Sequence, residues 1–217
     1  MSLFSKFATK IASIGRSFSS NVTQTKVGLL GVPFNRGVKE PGIIGTELAP
    51  KVIRDGGIVK QIMDFHENLD LKDFGDLIID SNNVKQMAPA NMYHYNTGFQ
   101  STMQHLSAKV QEIRNEKRIC VTIGGDHSIA VGTIAGQLQS SSKLSVLYVD
   151  AHADINTNLT SRTGHIHGMD VAMVAQELTE FWCQLPGAEW LQKKGNMNLK
   201  LKKESVAQIT NEDFQNK

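Results

Sequence analysis

The 217-residue sequence predicts an α/β fold, a three-layer α/β/α arrangement around a parallel sheet. From Val27 onward, short apolar runs alternate with longer helical patterns, the order in which parallel strands and crossover helices succeed one another. Two of those runs, Arg118–Ile123 and Lys143–Val149, pass straight into segments rich in Gly, His and Asp. Open α/β sheets build their sites beyond the carboxyl ends of strands, so this is where chemistry is expected. The composition, 40% hydrophobic and 20% charged, is that of one ordinary globular domain and excludes a coiled coil, a collagen or a wholly disordered chain.

Val27–Val32 is read as the first buried strand, ended by Pro33 and a loop containing Gly37, Gly42 and Gly45. A helix follows over Leu48–Met63, with Pro50 in its first turn and Gly56-Gly57 as its weak point. Asp76–Asp80 is expected to hold a short edge strand. Met92, Tyr95, Phe99, Met103, Leu106, Val110 and Ile113 recur at helical spacing, so Pro89–Lys117 reads as one long helix with a core-facing stripe. Arg118–Ile123 and Lys143–Val149 are the clearest strands, followed by helices over Ser128–Leu138 and Met169–Leu185. After Leu191, Lys193, Lys194, Lys200, Lys202 and Lys203 crowd a stretch with little apolar periodicity, so no strand is expected there.

The first 39 residues contain no Asp or Glu, whereas Lys6, Lys10, Arg16 and Lys26 lie among several serines. Leu3, Phe4, Phe7, Ile11, Ile14 and Phe18 fall on one helical face, and this combination predicts a mitochondrial transit peptide over residues 1–25 and a matrix location. A net charge of +2 argues against a nucleic-acid partner. The sequence contains no apolar run of the roughly 20 residues that a membrane span requires. Cys120 and Cys183 lie far apart without metal-site spacing and are read as reduced thiols.

Asp150-Ala151-His152-Ala153-Asp154 alternates carboxylate, imidazole and carboxylate after an apolar strand. In extended backbone these three side chains point the same way, where they repel or stay unsatisfied unless a cation or equivalent donors join them. A mixed oxygen and nitrogen set suits Mn2+, with Zn2+ and Fe2+ as competitors; the alternative is a solvated surface turn. Gly124-Gly125-Asp126-His127-Ser128 places His127 within reach of the same crevice, or else in a capping role. Thr163-Gly164-His165-Ile166-His167-Gly168 offers two histidines as proton shuttle, second metal site or backbone-bonded loop residues.

These motifs together resemble the ureohydrolases, and among them arginase rather than agmatinase. GGDHS at Gly124–Ser128, DAHADIN at Asp150–Asn156 and the G-x-x-HG ending at Gly168 stand in the family's order, and VGLLGVPFNRG and APKVIRDGG add to the likeness. The resemblance covers roughly residues 26–191, an arginase-like domain, and leaves 192–217 as a divergent Lys-rich tail. It implies hydrolysis of L-arginine to L-ornithine and urea, the chemistry of arginine catabolism and the urea cycle, by water activated at a binuclear Mn2+ site. By position, His127 and Asp154 match ligands of one metal, His152 a ligand of the other, and Asp150 the bridge between them. His167 matches the proton-shuttling histidine. Asn156, Thr163 and His165 match positions that recognise the amino acid's carboxylate, with Thr163 where a serine is usual and His165 where an Asn is usual.

The family's second DxD pair of metal ligands and its later acidic residues have no counterpart, since Asp213 is the only aspartate after Asp170. The second metal site is therefore expected to be incomplete and the parallel sheet incompletely covered. Two further readings follow: an inactive shortened form associating with full-length arginase, whose family forms trimers, and an agmatinase-like ureohydrolase.

Overall fold

A computed structural model describes residues 24–37, 45–65, 68–79, 92, 97–141, 143–175, 185, 187–192 and 206–209. Nearly all of the expected transit segment lies outside them. Strand β1, Thr25–Gly31, is the middle of a three-stranded parallel sheet, between β2, Leu69–Asp76, and β3, Ile119–Ile123. Val27 through Gly31 pair with Ile119 through Ile123 in unbroken register, whereas the ladder to β2 slips between Leu29 and Gly31. A side-chain carbon added at Gly28 would meet Ile113 at 2.6 Å, and one at Gly31 would meet Pro50 at 2.9 Å. Those positions lie on opposite faces of the strand, so helices cover β1 on both sides, as a three-layer α/β fold requires.

The edge strand lies earlier than the expected 76–80. Its sequence, LDLKDFGD, carries four charges and so reads as loop, but each charge meets a partner remote in the chain. Arg54 donates to both oxygens of Asp73, at 2.8 and 2.9 Å, and also binds Asp76. Arg118 donates to Asp70 at 3.0 Å, and Lys72 to Glu116 at 2.9 Å.

The helix expected over 48–63 is two helices, α1, Ala49–Asp55, and α2, Ile58–Phe65, after a short 3-10 turn over Thr46–Leu48. Gly57, at φ 82°, takes the left-handed backbone that separates them. Helix α3, Thr97–Asn115, carries the expected stripe: Phe99, Met103, Leu106, Val110 and Ile113 are all fully buried. Residues 89–91 and 93–96 of that expected helix lie outside the described residues. Each of the five buried side chains from Phe99 to Ile113 contributes on the order of 1.5–3 kcal/mol by its removal from water. Helix α4, Ala130–Ser140, packs beside it through Val131, Ala135 and Leu138. Of the helix expected over 169–185, α5, Asp170–Val174, is described, and residues 176–184 lie outside.

Strand β4, Val146–Val149, does not join the first sheet among the described residues but pairs in parallel with β5, Val206–Ile209. This strand corrects the expectation of none after Leu191: four residues, Val-Ala-Gln-Ile, are too short for a period to show against the surrounding polar sequence. Ile119 and Val121 on β3, and Leu147 and Val149 on β4, are exposed. Among the described residues, no helix is long and apolar enough to cross a membrane.

Candidate metal centre

The loop after β3 is built around Gly125, where any side-chain carbon would lie 1.8 Å from the Phe34 carbonyl oxygen. That contact lets Gly125 and Asp126 donate their N–H groups to Val32 O at 2.9 Å and Phe34 O at 2.7 Å. The buried Asp126 carboxylate then accepts from Gly37 N at 2.7 Å and Ser128 N at 3.0 Å. It thereby caps the 3-10 turn His127–Ile129 and fixes the direction of His127. Sequence reasoning gave Asp126 no role, although an aspartate just before a helical turn is a recognisable cap.

Beyond β4 the chain does not stay extended. Asp150 Oδ1 accepts from His152 N at 2.9 Å, which turns the backbone, and Asp154 sits at φ 49°. The expected common direction of Asp150, His152 and Asp154 therefore fails. Asp150 and Asp154 converge on His127 instead: its Nδ1 is 2.9 Å from Asp150 Oδ2 and 3.0 Å from Asp154 Oδ2. These three residues offer ligand atoms all within 4.8 Å of one another. The His152 side chain is 82% exposed and its Nδ1 lies 3.7 Å from Asp150 Oδ1, so it stands apart from the trio.

Two residues that sequence reasoning did not single out complete this cluster. Tyr148, on β4, stacks on His127 with ring centroids 5.0 Å apart and an interplanar angle of 20°. Its hydroxyl lies 2.9 Å from Asp154 Oδ2 and 3.0 and 3.2 Å from the two oxygens of the fully buried Asp170. Tyr148 was findable, because position i−2 from Asp150 shares its face of a strand. Asp170 looks in sequence like any acidic residue opening a helix.

The electrostatics follow from burial. A hydrogen bond to Asp154 raises the His127 imidazole above its ordinary value. Burial alone would raise the Asp154 carboxyl, but hydrogen bonds from His127 and Tyr148 hold it below the usual range. Burial, reinforced by the Asp154 charge, pushes Asp170 well above that range, and burial pushes Tyr148 far above the usual tyrosine value, keeping it a neutral donor.

The other predicted residues line the following loop. Asn156 N donates to Gly168 O at 3.2 Å, and Asn156 Oδ1 accepts from Thr160 Oγ1 at 3.1 Å. Thr163 Oγ1 accepts from His165 N at 3.4 Å. The His165 and His167 rings lie 5.2 Å apart, and Ile166 N donates to Gly37 O at 3.0 Å, tying this loop to the one that Asp126 holds. His167 Nδ1 is buried without a hydrogen-bond partner. Cys120 is a free, half-buried thiol that burial pushes up, away from thiolate chemistry.

A carboxylate–imidazole cluster beyond the strand ends of a parallel α/β sheet defines a candidate divalent-cation site of an α/β protein. The sequence comparisons narrow the class. The arginase family model matches residues 25–216. Arginase-2, mitochondrial, of Mus musculus is 40% identical over 168 residues, covering 76% of this chain and 45% of that protein. Among solved structures, the arginase of Bacillus caldovelox has a TM-score of 0.66 at 26% identity, over 88% of this chain and 61% of that one. The arginase of Bacillus cereus has a TM-score of 0.62 at 29% identity, over 88% and 60%. The chain belongs to the arginase family and spans about half the length of the curated relatives it matches.

Proposed function

We propose that this chain is an arginase-type hydrolase that cleaves the guanidino C–N bond of L-arginine, yielding L-ornithine and urea, with Mn2+ as its metal. The observation that carries this reading is the convergence of His127 Nδ1 with carboxylate oxygens of Asp150 and Asp154. Two carboxylates drawn together at a single imidazole are a donor set that a divalent cation satisfies, and the mixed O and N ligands suit Mn2+. His127, Asp150 and Asp154 would hold the first ion, and Asp150 and the exposed His152 would be the groups available to a second. Bound Mn2+ supplies Lewis-acid activation of water and polarisation of the guanidinium.

The chain's own residues do the rest. Asn156 already uses its amide oxygen to accept from Thr160, which leaves its NH2 to donate to the substrate's carboxylate. Thr163 likewise accepts from the His165 backbone, which leaves its O–H to donate. His167, with one nitrogen orphaned in a buried position, carries a proton to the leaving amine as the C–N bond breaks. The low-acidity N-terminal segment and the mitochondrial arginases among the relatives support a matrix location.

A second reading, in which the chain acts by associating with full-length arginase, is favoured by the exposure of His152 and of the apolar residues on β3 and β4. The test is urea release from L-arginine by the purified, Mn2+-loaded chain, with agmatine in parallel. Turnover of L-arginine alone is the expected result. Turnover of agmatine instead would make this an agmatinase-like enzyme, and a folded, Mn2+-loaded chain without turnover would leave the association reading.

A further inference from the structure

Tyr148 touches two of the three proposed cation ligands at once. Its ring lies flat against His127, and its hydroxyl reaches Asp154 Oδ2 at 2.9 Å while staying 3.3 Å from His127 Nδ1. Behind that hydroxyl sits Asp170, with no exposed surface, both oxygens within 3.2 Å of the phenol and Oδ1 also accepting from Val171 N at 2.8 Å. A buried carboxyl group is costly unless it is satisfied, and the partners of Asp170 are the Tyr148 hydroxyl, whose single proton it shares with Asp154, and the Val171 N–H. The backbone makes the same connection: Val171 N donates to the Asp154 carbonyl oxygen at 3.1 Å, which ties the start of α5 to the left-handed turn at Asp154.

We propose that Tyr148 is a positioning residue for the cation site, its hydroxyl fixing the Asp154 carboxylate and Asp170 fixing the hydroxyl. This rests on the reading of His127, Asp150 and Asp154 as Mn2+ ligands. The stack on His127 holds the ring plane, and Asp170 holds the hydroxyl end, so the two ligands they flank keep one spacing whether or not an ion is bound. Hydrogen-bond partners of metal ligands contribute about 10- to 100-fold in affinity, and one hydroxyl belongs at the lower end of that range.

The experiment is calorimetric titration of the full chain with Mn2+ alone, for wild type, Y148F, D170N and the double variant, with the melting of each metal-free protein alongside. Y148F removes a single oxygen and is expected to weaken Mn2+ binding about tenfold in a metal-free chain that still folds, with a lowered melting temperature because the buried Asp170 loses its phenol partner. D170N is expected to weaken binding in the same direction and to add nothing in the Y148F background, because it acts through that hydroxyl. Wild-type affinity in Y148F would overturn the proposal, as would weakened binding in a Y148F chain that no longer folds without metal. Additive losses would remove Asp170 from it. Failure of the wild-type chain to bind Mn2+ would strike the underlying site reading, a result distinct from all of these.

Discussion

Along the β2 edge, Asp70, Asp73, Asp76 and Glu116 each meet an arginine or lysine, whereas beyond β4 the side chains facing Asp150, Asp154 and Asp170 are imidazoles and one phenol. In the first region the cation is part of the chain: Arg54 reaches from α1 to Asp73, Asp76 and the Gly75 carbonyl, and Arg118 reaches from the start of β3 to Asp70 and the Val27 carbonyl. In the second, the charge balance is unfinished, and the carboxylates are more deeply buried. The difference teaches how to tell a structural acidic cluster from a chemical one: by whether the fold supplies its own positive charge.

Asp150→Ala breaks this contrast most sharply, since on the proposed reading Asp150 would serve both the first ion and a second. A loss of Mn2+ affinity on the order of 100-fold or more is expected, measured by titration calorimetry. Acid tests both regions with opposite ligands in play. Because His127 is raised, protons compete with Mn2+ at a higher pH than they would at an ordinary imidazole, and affinity falls about tenfold for each pH unit below the His127 pKa. The hydrogen bond from Arg54 depresses Asp73, so its contribution to stability is present above the ordinary carboxylate pKa and is lost as pH falls through the lower, folded value. Metal-free melting should therefore hold to about pH 4 and drop below it.

Arg54→Ala is expected to destabilise by about 1–2 kcal/mol in urea unfolding, a figure kept low because Asp73 and Asp76 are partly exposed, and to leave Mn2+ affinity unchanged. His167→Ala is likewise expected to keep full Mn2+ affinity, with slowed urea release. Equal loss of metal would make His167 a ligand.

The sequence carried the parts of this account that depend on period and on motif. The α3 stripe was legible because every buried position repeats at three or four residues, and β3 and β4 because their apolar runs end in Gly- or Asp-led turns. Strand β2 was not, since its charges are compensated by Arg54, Arg118 and Glu116, whose proximity only the fold creates. Strand β5 was too short to show a pattern. At the site, residue types were readable, but the direction of His152 was not: the Asp150 turn rotates the chain out of the extended geometry that alternation assumed. Tyr148 and Asp170 were invisible as a pair because 22 residues separate them.

The most direct test is equilibrium dialysis of the purified 217-residue chain against Mn2+, with metal content counted per protein. The account predicts saturable retention of about one ion per chain at the His127, Asp150 and Asp154 site, abolished in Asp154→Ala. No retained Mn2+ at millimolar concentration, or retention unchanged in Asp154→Ala, would contradict it.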